Sequence, residues 1–403
     1  MKKIFDKLYS SIETYFNNEC CHDVGTESFF SAMKCYDNKE YEKALELYKV
    51  ALKYEPNSDA TYFNMGNVYF VQKEYDQALI YYKQASLLYE DSPNVNAQIA
   101  KVYLEQEKYQ KALTYYLESE KKDEITDEHY IGLSCCYYGL KNYRESIRMC
   151  EKALDLNPHR HDLFLSIALN YQELKEFPKS IEFYKKSLAY FYDEYTLRDL
   201  AYVYYLNLQY DESKALCLSL LTVNQNDYYA LEMMGINLKM EGKYKESLDY
   251  LLQLVEKNEV HSGIFCYILS NYFYLGEFEK SIEFGLKILE MGTDEAIYYC
   301  NIFEAQLLLN QPFTKSIEEQ FIEKFKDEKE SLMIYSHLKI LENITLEKEV
   351  NLEQWKATYE GMSFIEWEFE TLANWIENYE NKEIKVKLLE ALACFMNNHE
   401  SHN

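Results

Sequence analysis

Along most of the chain an aromatic residue is followed three positions later by a small one, and the pair returns at a nearly fixed interval. The small residues are Ala44, Ala78, Ala112, Ser146, Ser180, Ser213, Ser247 and Ser281, spaced by 34 residues except for the 33 between Ser180 and Ser213. Their aromatics are Tyr41, Tyr75, Tyr109, Tyr143, Phe177, Tyr210, Tyr244 and Phe278. Between these marks the apolar positions follow helical periodicity. A first helix carries a large apolar residue early, a small one four places on and often a Tyr after that; a second helix opens at the aromatic step. Turns such as YEPNSD (54–59) and LNPHRH (156–161) close the second helix, where Pro56 and Pro158 cannot continue it. One such hairpin cannot bury its apolar face alone, so the period predicts hairpins stacked into a solenoid.

The period divides the chain into repeats at 25–58, 59–92, 93–126, 127–160, 161–193, 194–227, 228–261 and 262–295. Residues 1–24, with Phe5, Leu8, Ile12, Tyr15 and Phe16 at helical spacing, read as a leading cap helix. Over 296–330 a ninth repeat degenerates: Phe313 and Ser316 fall in phase, but Gln320 replaces the next aromatic. Residues 331–403 keep helical periodicity without the repeat and hold all three tryptophans, Trp355, Trp367 and Trp375. In this part SFIEWEF (363–369) reads as a capping box of Ser363 and Glu366, and Leu388, Leu389, Leu392, Phe395 and Met396 give the last helix an apolar face. This segment is expected to fold onto the array as a helical cap, with a separate small domain as the alternative.

Charge narrows the partners. The 68 acidic residues outnumber the 42 basic ones, a formal net charge of −26. Such a surface repels polyanions and anionic membranes, because nucleic-acid affinity comes from Lys and Arg displacing phosphate counterions. Nucleic acid and membrane are therefore excluded, and a protein or peptide partner remains. Solubility of an extended molecule is the plainer use of the charge. The opening MKKIFDKLYSSIETYF is broken by Asp6, Lys7 and Glu13, so it does not read as a secretory signal, and no segment is apolar enough to span a bilayer. Cys35, Cys150 and Cys217 take positions that tyrosines fill in other repeats and read as reduced core side chains, which points to the cytoplasm.

Repeat 59–92 places Tyr62, Met65, Gly66, Tyr69, Tyr75, Ala78, Tyr82 and Ala85 on a recognisable signature, and repeat 25–58 adds Ala44, Tyr48, Ala51 and Pro56. Over roughly 25–295 the chain resembles the tetratricopeptide-repeat (TPR) family, departing from it in the absence of an early Trp and in the switch from Ala to Ser after the third repeat. The resemblance implies an all-α, right-handed superhelical solenoid of antiparallel helix pairs. It implies a non-catalytic scaffold that binds a protein or peptide in a concave groove lined by the first helices, with repeat positions 2, 5, 9, 12 and 13 toward the ligand. On this sequence those positions are Phe63, Asn67 and Phe70; Asn94, Lys101 and Glu105; Glu128, Ile131 and Tyr138; Asp162, Leu165, Gln172 and Glu173. They continue with Tyr195, Arg198, Tyr202 and Tyr205; Tyr229, Glu232 and Lys239; and Phe273 and Tyr274. Family members that grip a C-terminal carboxylate need Lys, Asn and Arg where this chain has Phe63, Gln98, Glu128 and Gly132, so that clamp is absent. An acidic middle (Glu105, Glu128, Asp162, Glu173) beside an aromatic later part suits a peptide with basic and apolar residues.

No phosphate loop, Gly-x-Ser-x-Gly or His-Glu-x-x-His occurs, and no cofactor or metal is expected. Cys20, Cys21, His22 and Asp23 form one cluster of ligand types, but adjacent cysteines diverge and no second pair completes a tetrahedron. His159 and His161 flank a turn and read as solvated. A peptide-sensing regulator whose superhelix changes compactness is the alternative function, and an enzyme built on 331–403 a remoter one.

Overall fold

The computed structural model describes residues 24–88, 93–120, 125–257, 261–293, 295–359 and 369–400, and within them the chain is all-α. Five antiparallel hairpins come first: α1 (Val24–Asp37) with α2 (Tyr41–Tyr54), α3 (Asp59–Val71) with α4 (Tyr75–Leu88), α5 (Pro93–Glu105) with α6 (Tyr109–Glu120), α7 (Asp127–Gly139) with α8 (Tyr143–Leu156), and α9 (Asp162–Glu173) with α10 (Phe177–Tyr190). Four more follow: α11 (Glu194–Leu206) with α12 (Tyr210–Val223), α13 (Tyr228–Met240) with α14 (Tyr244–Glu256), α15 (Ser262–Tyr274) with α16 (Phe278–Glu290), and α17 (Ala296–Leu308) with α18 (Lys315–Phe325). The tail helices are α19 (Lys329–Thr345), α20 (Leu352–Thr358), α21 (Glu370–Glu377) and α22 (Lys382–Glu400). Two compact units divide between Thr196 and Leu197, in the first turn of α11. The expected cap helix over 1–24 lies, but for its last residue, outside the described residues, as do the Ser363–Glu366 box and Trp367.

Each of the eight recurring aromatics is the first residue of a second helix, and the small residue three places on is fully buried where the two helices of a hairpin cross. A larger side chain there would push the helices apart. Tyr48, Tyr82, Tyr116 and Tyr184 fill the next layer, with Cys150, Cys217 and Leu251 in their place elsewhere, all buried. Their fit is tight: a Cβ on Gly66 would come within 2.6 Å of the Tyr82 ring, and one on Gly235 within 2.5 Å of Leu251.

The change from Ala to Ser has a structural use. Each serine hydroxyl donates to a main-chain carbonyl of the first helix of its own hairpin: Ser146 to Ser134 (2.9 Å), Ser180 to Ala168 (2.8 Å), Ser213 to Ala201 (2.8 Å), Ser247 to Gly235 (2.6 Å) and Ser281 to Leu269 (3.2 Å). In the second unit the same hydroxyls also accept from the following hairpin. Asn237 Nδ2 donates to Ser213 Oγ (2.9 Å) and to the Met233 carbonyl (2.7 Å), and Asn271 Nδ2 donates to Ser247 Oγ (2.8 Å). All four side chains of this ladder are fully buried.

The turn inside each hairpin passes through one left-handed residue: Lys39, Lys73, Glu107, Lys141, Lys175, Leu208, Gly242, Gly276 and Asn310, at φ between 54° and 75°. The next N–H then reaches back five residues, as Glu74 does to the Tyr69 carbonyl (2.9 Å), closing a Schellman motif. Glycine holds only two of these nine positions.

The ninth hairpin departs from expectation. Its left-handed Asn310 is in phase, but α18 begins five residues later instead of two. Phe313 thus precedes the helix, buried, with its N–H on the Glu342 carboxylate (2.7 Å). Ser316 is exposed, and Ile317 and Phe321 pack inward in its stead. The tail continues from there: α19 packs on α17 and α18, and α22 packs on α19, α20 and α21. Phe303, Phe321, Leu338, Trp355, Leu388 and Phe395 share this core. The expected apolar face of α22 is split, with Leu388, Leu392 and Phe395 buried but Leu389 and Met396 exposed.

Candidate functional site

In the first unit the first-helix positions are largely engaged by the second helix of their own hairpin or of the one before. Asn67 accepts from the Tyr82 hydroxyl (2.7 Å), and Phe63 packs on the Tyr82 ring with centroids 5.7 Å apart. Phe70 lies against Tyr75 (6.1 Å), so both phenylalanines are half-buried against the core. Glu105 accepts from Tyr75 (3.4 Å), and Glu173 from Tyr143 (3.2 Å), each from the hairpin before. Tyr138 is exposed and meets Tyr143 edge-on. Lys101, Ile131 and Leu165 are half-buried and Asn94 is exposed. Gln172 accepts from the buried Tyr184 hydroxyl (2.8 Å).

Arg160, in the turn before α9, holds the remaining acids. Its Nη1 bonds Glu128 (2.7 Å) and Asp127 (3.1 Å), while Nε and Nη2 form a two-pronged pair with Asp162 (2.9 Å each). Asn157 donates to Asp127 as well (3.0 Å). The hydrogen bond from Arg160 holds the Asp162 carboxyl below the usual carboxylate range, and those from Asn157 and Arg160 do the same for Asp127. In LNPHRH the histidines stand out by type, but the arginine between them, two residues before Asp162, is the residue that gathers the acids. All four acids of the expected patch, Glu105, Glu128, Asp162 and Glu173, therefore have partners inside the protein.

The second unit presents a different surface. Part of its expected set is half-buried and engaged within the protein. Arg198 pairs with the buried Asp227 (2.6 Å), which also caps α13 by accepting from the Ala230 N–H (2.9 Å), and the Tyr229 hydroxyl donates to the Arg198 carbonyl (2.8 Å). Burial pushes the Tyr229 phenol well up. Phe273 leans on Phe278 (5.4 Å) and the tail core. Glu232 accepts from His261 Nε2 (3.1 Å); His261 Nδ1 accepts the Gly263 N–H at the start of α15 (3.1 Å), which leaves the ring proton on Nε2.

The rest is an open tyrosine face. Tyr202, 41% exposed on α11, stacks with Tyr205 at 6.1 Å. Lys239 on α13 sits 5.9 Å from the Tyr267 ring and 6.0 Å from the Tyr274 ring, both on α15. Tyr274 is 42% exposed and stacks on Tyr244 at 4.8 Å. Tyr267 was outside the expected positions; burial, and then the nearby Tyr205, push its phenol up. Tyr195, on the first unit's side of the division, is exposed. Such a surface offers flat apolar area with hydroxyl rims and one cation.

Among the described residues no group of three His, Cys, Asp or Glu could hold a metal ion, and no helix is long and apolar enough to cross a membrane. Cys20, Cys21 and His22 lie outside those residues. Profiles described as tetratricopeptide repeat match residues 57–124 and 129–160, and one described as TPR repeat matches 34–73. No curated protein matches the chain. Among solved structures it is similar to a tetratricopeptide repeat protein from Parabacteroides merdae (17% identity, 61% of this chain and 97% of that one, TM-score 0.45). It is also similar to PilW, a widely conserved type IV pilus biogenesis factor (13%, 52% and 98%, 0.46), and to YrrB, a TPR protein with an unusual peptide-binding site (14%, 50% and 96%, 0.36).

Proposed function

Because the chain belongs to the tetratricopeptide-repeat family, we propose that it is a non-catalytic scaffold that holds a protein segment on the first-helix face of its second unit. The observation that carries this reading is the tyrosine face of Tyr202, Tyr205, Tyr267 and Tyr274 around Lys239, where aromatic side chains keep exposed area. Its ligand is an extended peptide with aromatic or aliphatic side chains that stack on these rings. A basic ligand drawn by free acids has less support, since Arg160, Tyr75 and Tyr143 already occupy the acids that would attract it. We also place the protein in the cytoplasm: Cys150 and Cys217 serve as packing atoms, their thiols pushed up by burial to about 11 and about 12, an arrangement suited to a reducing compartment.

A peptide array probed at about 0.05 and about 0.5 M salt tests the ligand chemistry, because screening weakens exposed ionic contacts and spares apolar ones. Binding should favour aromatic peptides at both salts, and the pair Tyr202→Ala with Tyr205→Ala should weaken it by about tenfold or more. Binding that vanishes at high salt, or that the double variant leaves intact, rejects the tyrosine face as the site.

A further inference from the structure

A helix with one face in a core ordinarily turns polar residues to water on the other. Helix α22 does not. Its inner face buries Leu388, Leu392 and Phe395, yet Val386 (55% exposed), Leu389 (40%), Ala393 and Met396 (47%) form a second apolar stripe at spacings of three, four and three residues. That spacing is the a/d seam of a two-helix contact. Flanking it are Lys385 on one side and the exposed Glu390 on the other, five residues apart.

We propose that this stripe is the seam of a homodimer in which two copies of α22 pack parallel about a two-fold axis. The charges choose the occupant and the direction. In a parallel pair the flank carrying Lys385 faces the opposite flank of the second helix, so Lys385 meets the partner's Glu390, and symmetry makes the contact twice. An antiparallel pair with the two stripes overlapped would set each flank against itself, Glu390 beside Glu390 of the second copy. The Lys385 ammonium also donates to the Glu377 carbonyl, which fixes the side chain beside the seam and leaves donors for a second acceptor. The seam from Val386 to Met396 is about 16 Å long. It is smaller than a permanent interface, so self-association in the range of about 10–100 µM is expected.

Sedimentation equilibrium on the full chain from about 1 to about 200 µM tests this. The wild type should move from monomer to dimer. Leu389→Glu, a change at an exposed position, should weaken dimerisation at least about 20-fold with the circular dichroism spectrum unchanged. Lys385→Glu and Glu390→Lys should each weaken it about three- to tenfold, and the two together should return it to within about twofold of wild type. A monomer at every concentration overturns the proposal and leaves the stripe to a different chain. Association that ignores Leu389→Glu overturns it by placing the interface elsewhere, and a double swap no better than the single ones overturns the parallel pairing.

Discussion

Both units tie hairpin to hairpin at the periphery, the second through Lys214 to Glu241 (2.5 Å) and Lys257 to Asn226 (2.7 Å), and they differ in what runs through the interior. In the first, the ties between neighbouring hairpins lie at the periphery: Gln72 to Glu42 (3.2 Å), Gln106 to Asp76 (3.4 Å), Arg144 to Glu176 (2.7 Å) and the Arg160 cluster. In the second, a ladder of Ser213, Asn237, Ser247 and Asn271 runs through the interior with every member inaccessible to water. Exposed ion pairs contribute about 0–1 kcal/mol each and are screened by salt. Buried hydrogen-bonded groups contribute about 0.5–1.5 kcal/mol net, but losing one partner exposes the desolvation cost of the other. The same backbone period thus supports peripheral junctions in both units and, in the second, an additional one insulated from solvent.

The largest effect should come from the ladder. Asn237→Ala removes two buried hydrogen bonds and leaves a cavity, a loss of about 2–3 kcal/mol. All three tryptophans lie in the second unit, so urea unfolding followed by tryptophan fluorescence reports on that unit, while circular dichroism reports on both. The fluorescence midpoint should fall by the same amount at low and high salt. A shift that shrinks markedly with salt would mean that the interior ladder is not what fixes the second unit's stacking.

Arg160→Met is the matching test in the first unit, with an expected loss of about 1 kcal/mol at low salt that fades toward zero in about 1 M salt. Its pH dependence has a definite sign. Asp162 and Asp127 have folded-state ionisation below the unfolded value of about 3.9, so their contribution is fully present above that value and lost as pH falls through the depressed one. The gap between wild type and Arg160→Met should therefore persist at about pH 6 and close toward about pH 2. Asn237→Ala involves no titrating group, and its cost should not follow that curve. Should both variants respond alike to salt and acid, the contrast between the units dissolves.

What the sequence showed and hid follows from which positions sterics constrain. A helix crossing admits only a small side chain, so Ala44 through Ser281 announce the hairpins. The positions expected to face a ligand carry no such constraint: Phe63, Tyr202 and Tyr274 share a repeat logic but differ in environment, because Phe63 is held by Tyr82 whereas Tyr202 is partly open. Arg160 was hard to recognise since two of its acids come from a hairpin 32 and 33 residues earlier and only Asp162 from the helix that follows it. The ninth hairpin misled because Phe313 and Ser316 kept the spacing while α18 started late. In the tail, periodicity showed apolar residues on α22 but could not say that two faces were being counted as one.

The smallest expected effect concerns the turns, where the units differ again. The first unit places Lys39, Lys73, Glu107, Lys141 and Lys175 in the left-handed region, and the second uses Gly242 and Gly276 for two of its four turns. A side chain there crowds the following carbonyl at a cost of about 1–2 kcal/mol, which glycine avoids, although glycine gives some of that back through a freer unfolded chain. Lys73→Gly should therefore stabilise the first unit by about 0.5 kcal/mol, and Gly242→Lys should destabilise the second by about 1 kcal/mol. A Cβ at Gly242 would meet nothing within 4 Å, so that loss would come from backbone conformation alone. Because Lys73 is exposed, its gain should survive high salt. If Lys73→Gly instead destabilises by as much as Gly242→Lys, the lysine must be making a compensating contact, and the turns of the first unit would join its other junctions as sites held by solvent-exposed charge.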